Sequence, residues 1–239
     1  MDFVNWVMLV LGGFVFLLLV GDILWAQPRW LLGIVQSLSW GVVYFAETDK
    51  KAIALTIDDA PHRETTPLIL EVLAKHDVKA TFFLIANRIE GNEDIVEAIV
   101  AGGHELGNHM MEDLPSISLS AKGFETNLLT AQKIISKFAP VRWFRPASGW
   151  YGRPMIETAK KRGLAIALGD VFPYDTHIFS VNFAVNHILW NVRPGSIVVL
   201  HDGGEAGNRG LRTANTLEHI LPKLKSQGYQ ITILSGLFV

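Results

Sequence analysis

The chain begins with an almost unbroken apolar run from Phe3 to Ala26, interrupted by Asn5 and Asp22 near its edges. As a helix, this run would extend about 36 Å at about 1.5 Å per residue, enough for a hydrocarbon layer of about 30 Å. No Lys or Arg precedes it, and Leu24-Trp25-Ala26 is a poor small-x-small cleavage site. The pattern therefore predicts an uncleaved N-terminal transmembrane helix in preference to a cleaved secretory signal. Trp25 and Trp30 suit a membrane–water interface. Residues 1–28 are assigned to this anchor. Residues 29–49 form a connecting segment, a short interfacial helix followed by an extended Gly41–Phe45, and residues 50–239 form one folded domain.

From residue 50 onward, short β-rich runs alternate with stretches of helical periodicity. Strands are expected over Ala52–Ile57, Lys79–Ile85, His104–Asn108, Val141–Phe144, Leu164–Leu168, Ser196–Leu200 and Tyr229–Leu234. Between them, apolar residues recur at spacings of three and four: Ile69, Val72 and Leu73; Phe124, Leu128, Ile135 and Phe138; Leu217, Ile220, Leu221 and Leu224. Pro67 suits a first helical position, and Gly163 and Gly228 stand where helices end directly before strands. Seven βα-type units with no internal linker indicate a single parallel α/β domain, barrel-like or doubly wound.

Composition narrows the function. Among 239 residues, 21 Lys and Arg stand against 23 Asp and Glu, a formal net charge of −2. That balance gives no basic stripe for phosphate neutralisation, so a nucleic-acid partner is not expected. The chain has no cysteine, which excludes disulfides, thiolate catalysis and cysteine-bound zinc.

Polar residues cluster where the predicted strands end. Asp58 and Asp59 follow the first strand, His109 the third, Arg145 the fourth, Asp170 and Asp175 the fifth, and His201 and Asp202 the sixth. In parallel α/β folds the C-terminal strand ends share one face, where binding sites form. Adjacent carboxylates such as Asp58 and Asp59 repel, unless one binds a cation while the other removes a proton from water; an acidic turn before Pro61 would also account for them. His109 and Asp113 are four residues apart, a spacing that on a helical turn puts both on one face, as metal ligands or as a surface pair. With Asp59 they make a candidate facial triad. His104 points the other way in an extended segment and is expected to make a structural hydrogen bond. Arg145 can clamp a carboxylate in a fixed orientation, which fits an orienter for Asp58 or a structural ion pair. His201, ending a very apolar strand, is a general-acid candidate or a core histidine.

These residues resemble the motifs of the polysaccharide deacetylase family, carbohydrate esterase family 4. Thr56-Ile57-Asp58-Asp59-Ala60-Pro61 is similar to its T-F-D-D-G-P motif. Gly103–His109 resembles the lead into H-x-x-x-H, Phe144-Arg145-Pro146 the R-x-P motif, and Val199-Leu200-His201 the L-x-H motif. The resemblance implies a distorted (β/α) barrel of about seven strands and a hydrolase that removes N-acetyl groups from a chitin- or peptidoglycan-like glycan. It implies Asp58 as general base, Asp59 and His109 as metal ligands, and Asp113 in the place of the family's second histidine. A backbone N–H at Ser148 would hold the oxyanion, and Val199 and Trp150 would line the substrate pocket. His201 would protonate the leaving amine, with Asp175, or failing that Asp170, tuning it. The implied cofactor is a divalent metal, zinc foremost; the carboxylate-rich ligand set also admits manganese, iron, cobalt or nickel. The implied partner is an acetylated glycan, with the domain on the cell-envelope side, although Arg29 after the apolar run weakly favours the opposite topology; the membrane is a partner through the N-terminal helix read above. Alternatives are an O-acetyl esterase or small-amide hydrolase, and a catalytically silent glycan-binding protein.

Overall fold

The computed structural model describes residues 3–26, 28–203 and 205–239. The chain divides into two compact units, Met1–Leu38 and Ser39–Val239. The first unit holds α1 (Phe3–Ala26) and α2 (Arg29–Leu38). Side chains at positions 3, 4, 9, 19 and 22–26 of α1 lie outside the described residues, Trp25 among them. Among the described residues no helix is long and apolar enough to cross a membrane, so the predicted membrane span has no support from the structure. The expected connecting segment is also redrawn. Its helix belongs to the first unit, whereas β1 (Val42–Val43) is drawn into the second by parallel pairing with β6 (Ala165–Ala167).

The second unit is built around β2 (Ala52–Ala60), whose residues after Ala52 are all buried. Such a strand, covered on both faces, reads as a nearly continuous apolar run. It is followed by α3 (Thr66–Lys75), β3 (Thr81–Leu84), α4 (Glu93–Ala101), β4 (Glu105–Asn108), α5 (Ala121–Ile135), β5 (Trp143–Phe144) and α6 (Arg153–Lys161). After β6 come α7 (Val181–Asn191), β7 (Ile197–His201), α8 (Glu205–Ser226), β8 (Gln230–Thr232) and α9 (Leu234–Leu237). Ser120 caps α5 by accepting from the Gly123 N–H, and Phe124, Leu128, Ala131 and Ile135 bury one face of it, the predicted stripe. The helix stops before Phe138, and β5 covers only the last two residues of the strand expected over Val141–Phe144. Gly163 and Gly228 take left-handed backbone, φ 72° and 84°, at the ends of α6 and α8.

The strands lie in the order β1-β6-β5-β4-β3-β2-β7, all parallel. This nearly consecutive order makes a curled half-barrel and removes the doubly wound alternative. Single bridges between Phe45 and Ser196 and between Val171 and Val198 bring the two edges together. β8 joins the lower part of β2 on the edge opposite β7: Gln230 N–H donates to Lys51 O, whereas Gly195 N–H donates to Ala52 O.

Strand alternation organises the interior in layers. Ala54, Phe83, Trp143, Ala167 and Ile197 form an apolar cluster with Leu234 and Leu237 of α9. Two residues further along three of these strands, on the same face, come Thr56, Arg145 and Val199, and after them Asp58 and His201.

Candidate active site

Asp58, Asp59, His109, Arg145 and His201 converge on one cleft of about 550 Å³ at the C-terminal strand ends, with Asp113, Ser148, Trp150 and Val199 also in its lining. The rim stores backbone strain: Asp59, Met110, Ser148 and Tyr174 have φ of 70°, 71°, 66° and 55°. Non-glycine residues in this region cost energy and gather at functional sites.

Asp58 is held by Arg145, whose Nη1 lies 2.6 Å from Oδ1. The guanidinium also donates to Thr56 Oγ1 at 2.8 Å, to Ala167 O at 2.8 Å and to Leu168 O at 2.5 Å. It rests 4.1 Å above the Phe83 ring. That ring fits only because Gly107 faces it, since a Cβ there would clash. Arg145 thus holds Asp58 Oδ1 in one position.

Asp59 and His109 meet at 3.5 Å between Oδ1 and Nε2. His109 Nδ1 lies 2.7 Å from the Arg145 carbonyl, which can only accept, so Nδ1 carries a proton and Nε2 is the nitrogen turned to Asp59. Burial alone would raise the Asp59 pKa, but the hydrogen bond from His109 and the charges of His201, His109 and Arg209 hold it well below the usual carboxylate range. Burial would lower that of His109, and the carboxylates of Asp58 and Asp59 raise it instead. A buried carboxylate beside an imidazole whose far nitrogen is fixed by a carbonyl is a donor pair suited to a divalent ion.

The third expected ligand is placed differently. Residues 109–113 are not helical; Met110 turns left-handed and Asp113 falls in an exposed bend. It lines the same cleft, but among the described residues no three His, Asp or Glu side chains are gathered to hold a metal. The four-residue spacing therefore does not stack Asp113 over His109.

His201 Nδ1 lies 2.9 Å from Asp175 Oδ1, and the His201 N–H donates to Asp175 Oδ2 at 3.0 Å. Asp170, the alternative, instead accepts from Ser196 Oγ at 2.9 Å and from the Ile197 N–H at 2.8 Å, a structural tie. Burial would lower the His201 pKa; the Asp175 carboxylate, with Asp58 and Asp59 behind it, raises it to about 9. His104 behaves as expected: its Nδ1 accepts from the Ala80 N–H at 3.1 Å, and burial, aided by Lys79, lowers its pKa to about 4.

In the turn after Arg145, the Ala147 N–H donates to Ser116 Oγ and the Gly149 N–H to Pro146 O. Among the described residues the Ser148 N–H has no such partner, as an oxyanion donor requires. Val199 is buried in the wall, whereas Trp150 is 68 % exposed at the edge.

Two residues at the site went unforeseen. Arg209, on the first turns of α8, places Nη2 3.2 Å from Asp59 Oδ2. Phe172 packs edge-on against the His201 ring at 5.6 Å. Arg209 follows the last rim strand by eight residues, the one signal that could have drawn attention to it.

The polysaccharide deacetylase family profile matches residues 45–167. A peptidoglycan-N-acetylglucosamine deacetylase of Bacillus cereus is 36% identical over 200 residues, covering 82% of this chain and 92% of that protein. A chitooligosaccharide deacetylase of Sinorhizobium fredii is 32% identical over 197 residues, 78% and 92% of the two chains. Among solved structures, a peptidoglycan N-acetylglucosamine deacetylase superimposes with a TM-score of 0.78 at 27% identity, covering 84% and 94% of the two chains. A carbohydrate esterase family 4 pseudoenzyme from Bacillus anthracis does so with a TM-score of 0.76 at 29% identity, 83% and 69%. Strand order, rim geometry and these likenesses agree: the chain belongs to the polysaccharide deacetylase family, carbohydrate esterase family 4.

Proposed function

We propose that this protein hydrolyses N-acetyl groups on a peptidoglycan- or chitin-like glycan, with Asp59 and His109 holding a divalent ion and Asp113 supplying a third donor. The observation that carries the reading is the pair of clamps on one cleft: Asp58 fixed by Arg145, and His201 fixed by Asp175. When bound, the ion, zinc foremost, supplies Lewis-acid polarisation of the acetyl carbonyl and lowers the pKa of the attacking water. Arg145 occupies Asp58 Oδ1, and Asp58 takes the proton of the water that attacks the carbonyl carbon. The Ser148 N–H stabilises the developing oxyanion, and Val199 borders the acetyl methyl. With Nδ1 tied to Asp175, His201 delivers a proton from Nε2 to the leaving nitrogen as the C–N bond breaks, giving acetate and a free amine.

The test is acetate release from matched N- and O-acetylated oligosaccharides in the presence of zinc, manganese, iron, cobalt or nickel. Release from the N-acetylated partner is expected; release from the ester alone, or from neither with any metal, rejects the reading. A second reading, glycan binding without turnover, is favoured by Asp113 and by the likeness to a pseudoenzyme. Binding that is retained without acetate release would select it. Membrane attachment through residues 3–26 is proposed from apolar composition alone, and the envelope side from the family's cell-envelope substrates. Protection of the domain from protease added to intact cells would reject that location.

A further inference from the structure

Arg209 lines not only the catalytic cleft but also a second one of about 300 Å³, bounded by His62, Arg63, Arg88, Glu90 and Gly203. The arginines there differ in how they are engaged. Arg63 pairs with Asp94 in the open. Arg88 donates from Nη1 to the Asp59 carbonyl at 2.5 Å, but among the described residues its other guanidinium N–H groups have no partner and no carboxylate reaches it. Arg209 commits Nη2 to Asp59, while its Nε is buried with no hydrogen-bond partner. Both guanidiniums face Gly203, where a Cβ would sit 3.5 Å from Arg209 Nη2 and 3.9 Å from Arg88 Nη1. Glycine, at φ +110°, keeps that gap open. Two cations therefore flank one position; of the carboxylates near them among the described residues, Asp59 is engaged by His109, Asp202 by Thr65, Thr66 and the Gly203 N–H, and Glu90 borders the cleft without an ion pair to either arginine.

We propose that Arg88 and Arg209, across Gly203, form a recognition subsite for an anionic group, a carboxylate or phosphate, carried by a sugar next to the one being deacetylated. Guanidinium forks match both groups through paired charge-assisted hydrogen bonds. Because Arg209 belongs to both clefts, a glycan crossing the rim reaches the second cleft without leaving the first. The subsite deepens the function proposed above and rests on it: the substrate is an acidic glycan rather than a neutral one.

The test titrates the zinc-loaded full chain, in an Asp58→Asn background that blocks turnover, with three N-acetylated oligosaccharides of equal length: neutral, carboxylated and phosphorylated. Tighter binding of one anionic oligosaccharide is expected, identifying the group. Arg88→Gln should weaken that complex about tenfold more than the neutral one, the worth of a charged hydrogen bond, and Arg88→Lys should restore part of it. Equal affinity for all three, or equal weakening by Arg88→Gln, overturns the subsite. Acetate release by the Asp58-containing protein is measured in parallel. Its absence alongside Arg88-dependent anion preference would sink the hydrolase and leave the subsite standing.

Discussion

The floor and the rim of the half-barrel are both polar and buried, yet they solve burial in opposite ways. At the floor, Glu105 accepts from Thr81 Oγ1 at 2.8 Å, from the Ser235 N–H at 3.0 Å and from Ser235 Oγ. Trp143 Nε1 donates to Ser235 Oγ at 2.9 Å, and the Leu234 N–H to Thr81 Oγ1 at 2.7 Å. One carboxylate is surrounded by neutral donors, and α9 closes the network. At the rim, buried Asp58, Asp59, Arg145 and His109 and half-buried His201 are packed charge against charge, with Asp59 and its neighbours Met110, Ser148 and Tyr174 on strained backbone. Buried networks of neutral partners fix a structure, whereas clustered titrating groups with perturbed pKa values mark chemistry.

The sharpest break of this contrast is Asp58→Asn, which should lower acetate release about 10²–10⁴-fold, the usual worth of a general base, with folding intact. Arg145→Leu comes next. It leaves Asp58 buried with only His109 Nε2, 3.9 Å away, to face its charge, and should cost about 3–5 kcal/mol in unfolding free energy, measured by denaturant titration, along with activity. Glu105→Ala at the floor should destabilise by about 1–3 kcal/mol, leaving turnover per folded molecule close to normal. Loss of turnover beyond the loss of folded protein would erase the distinction between the layers.

The smallest effect concerns pH. With its pKa raised to about 9, His201 is protonated at neutrality, so activity should fall as pH rises through about 9. Because the folded pKa exceeds the ordinary value near 6.5, the same pairing stabilises the fold fully below about pH 6.5 and ceases to do so above about pH 9. Asp175→Asn should move the alkaline limb of the rate profile downward; an unmoved limb would show that another group sets it.

Much of this site is legible in the sequence because strand ends in a parallel sheet share a face. The position of Asp58, His109, Arg145 and His201 after four different strands predicted their convergence. The period of two also explains why Ala54, Thr56 and Asp58 lead from core to cleft along one strand. Three features resist that logic. Asp113 was placed by helical spacing, but Met110 takes a left-handed conformation that no spacing rule signals. Asp170 and Asp175 lie in the same loop, and only the bridge from Val171 to Val198 shows that the first turns back to Ser196 while the second reaches His201. Arg209 declares no partner in the sequence, because no motif or spacing ties it to Asp59, 150 residues earlier.

The central claim is that Asp59 and His109 hold one divalent ion at the rim. Zinc titration by calorimetry on the wild-type chain and on His109→Ala, Asp59→Ala and Asp113→Ala tests it directly. The account predicts a single site in the wild type, lost in the first two variants and weakened in the third. Zinc bound with unchanged affinity after removal of His109 and Asp59 would contradict it.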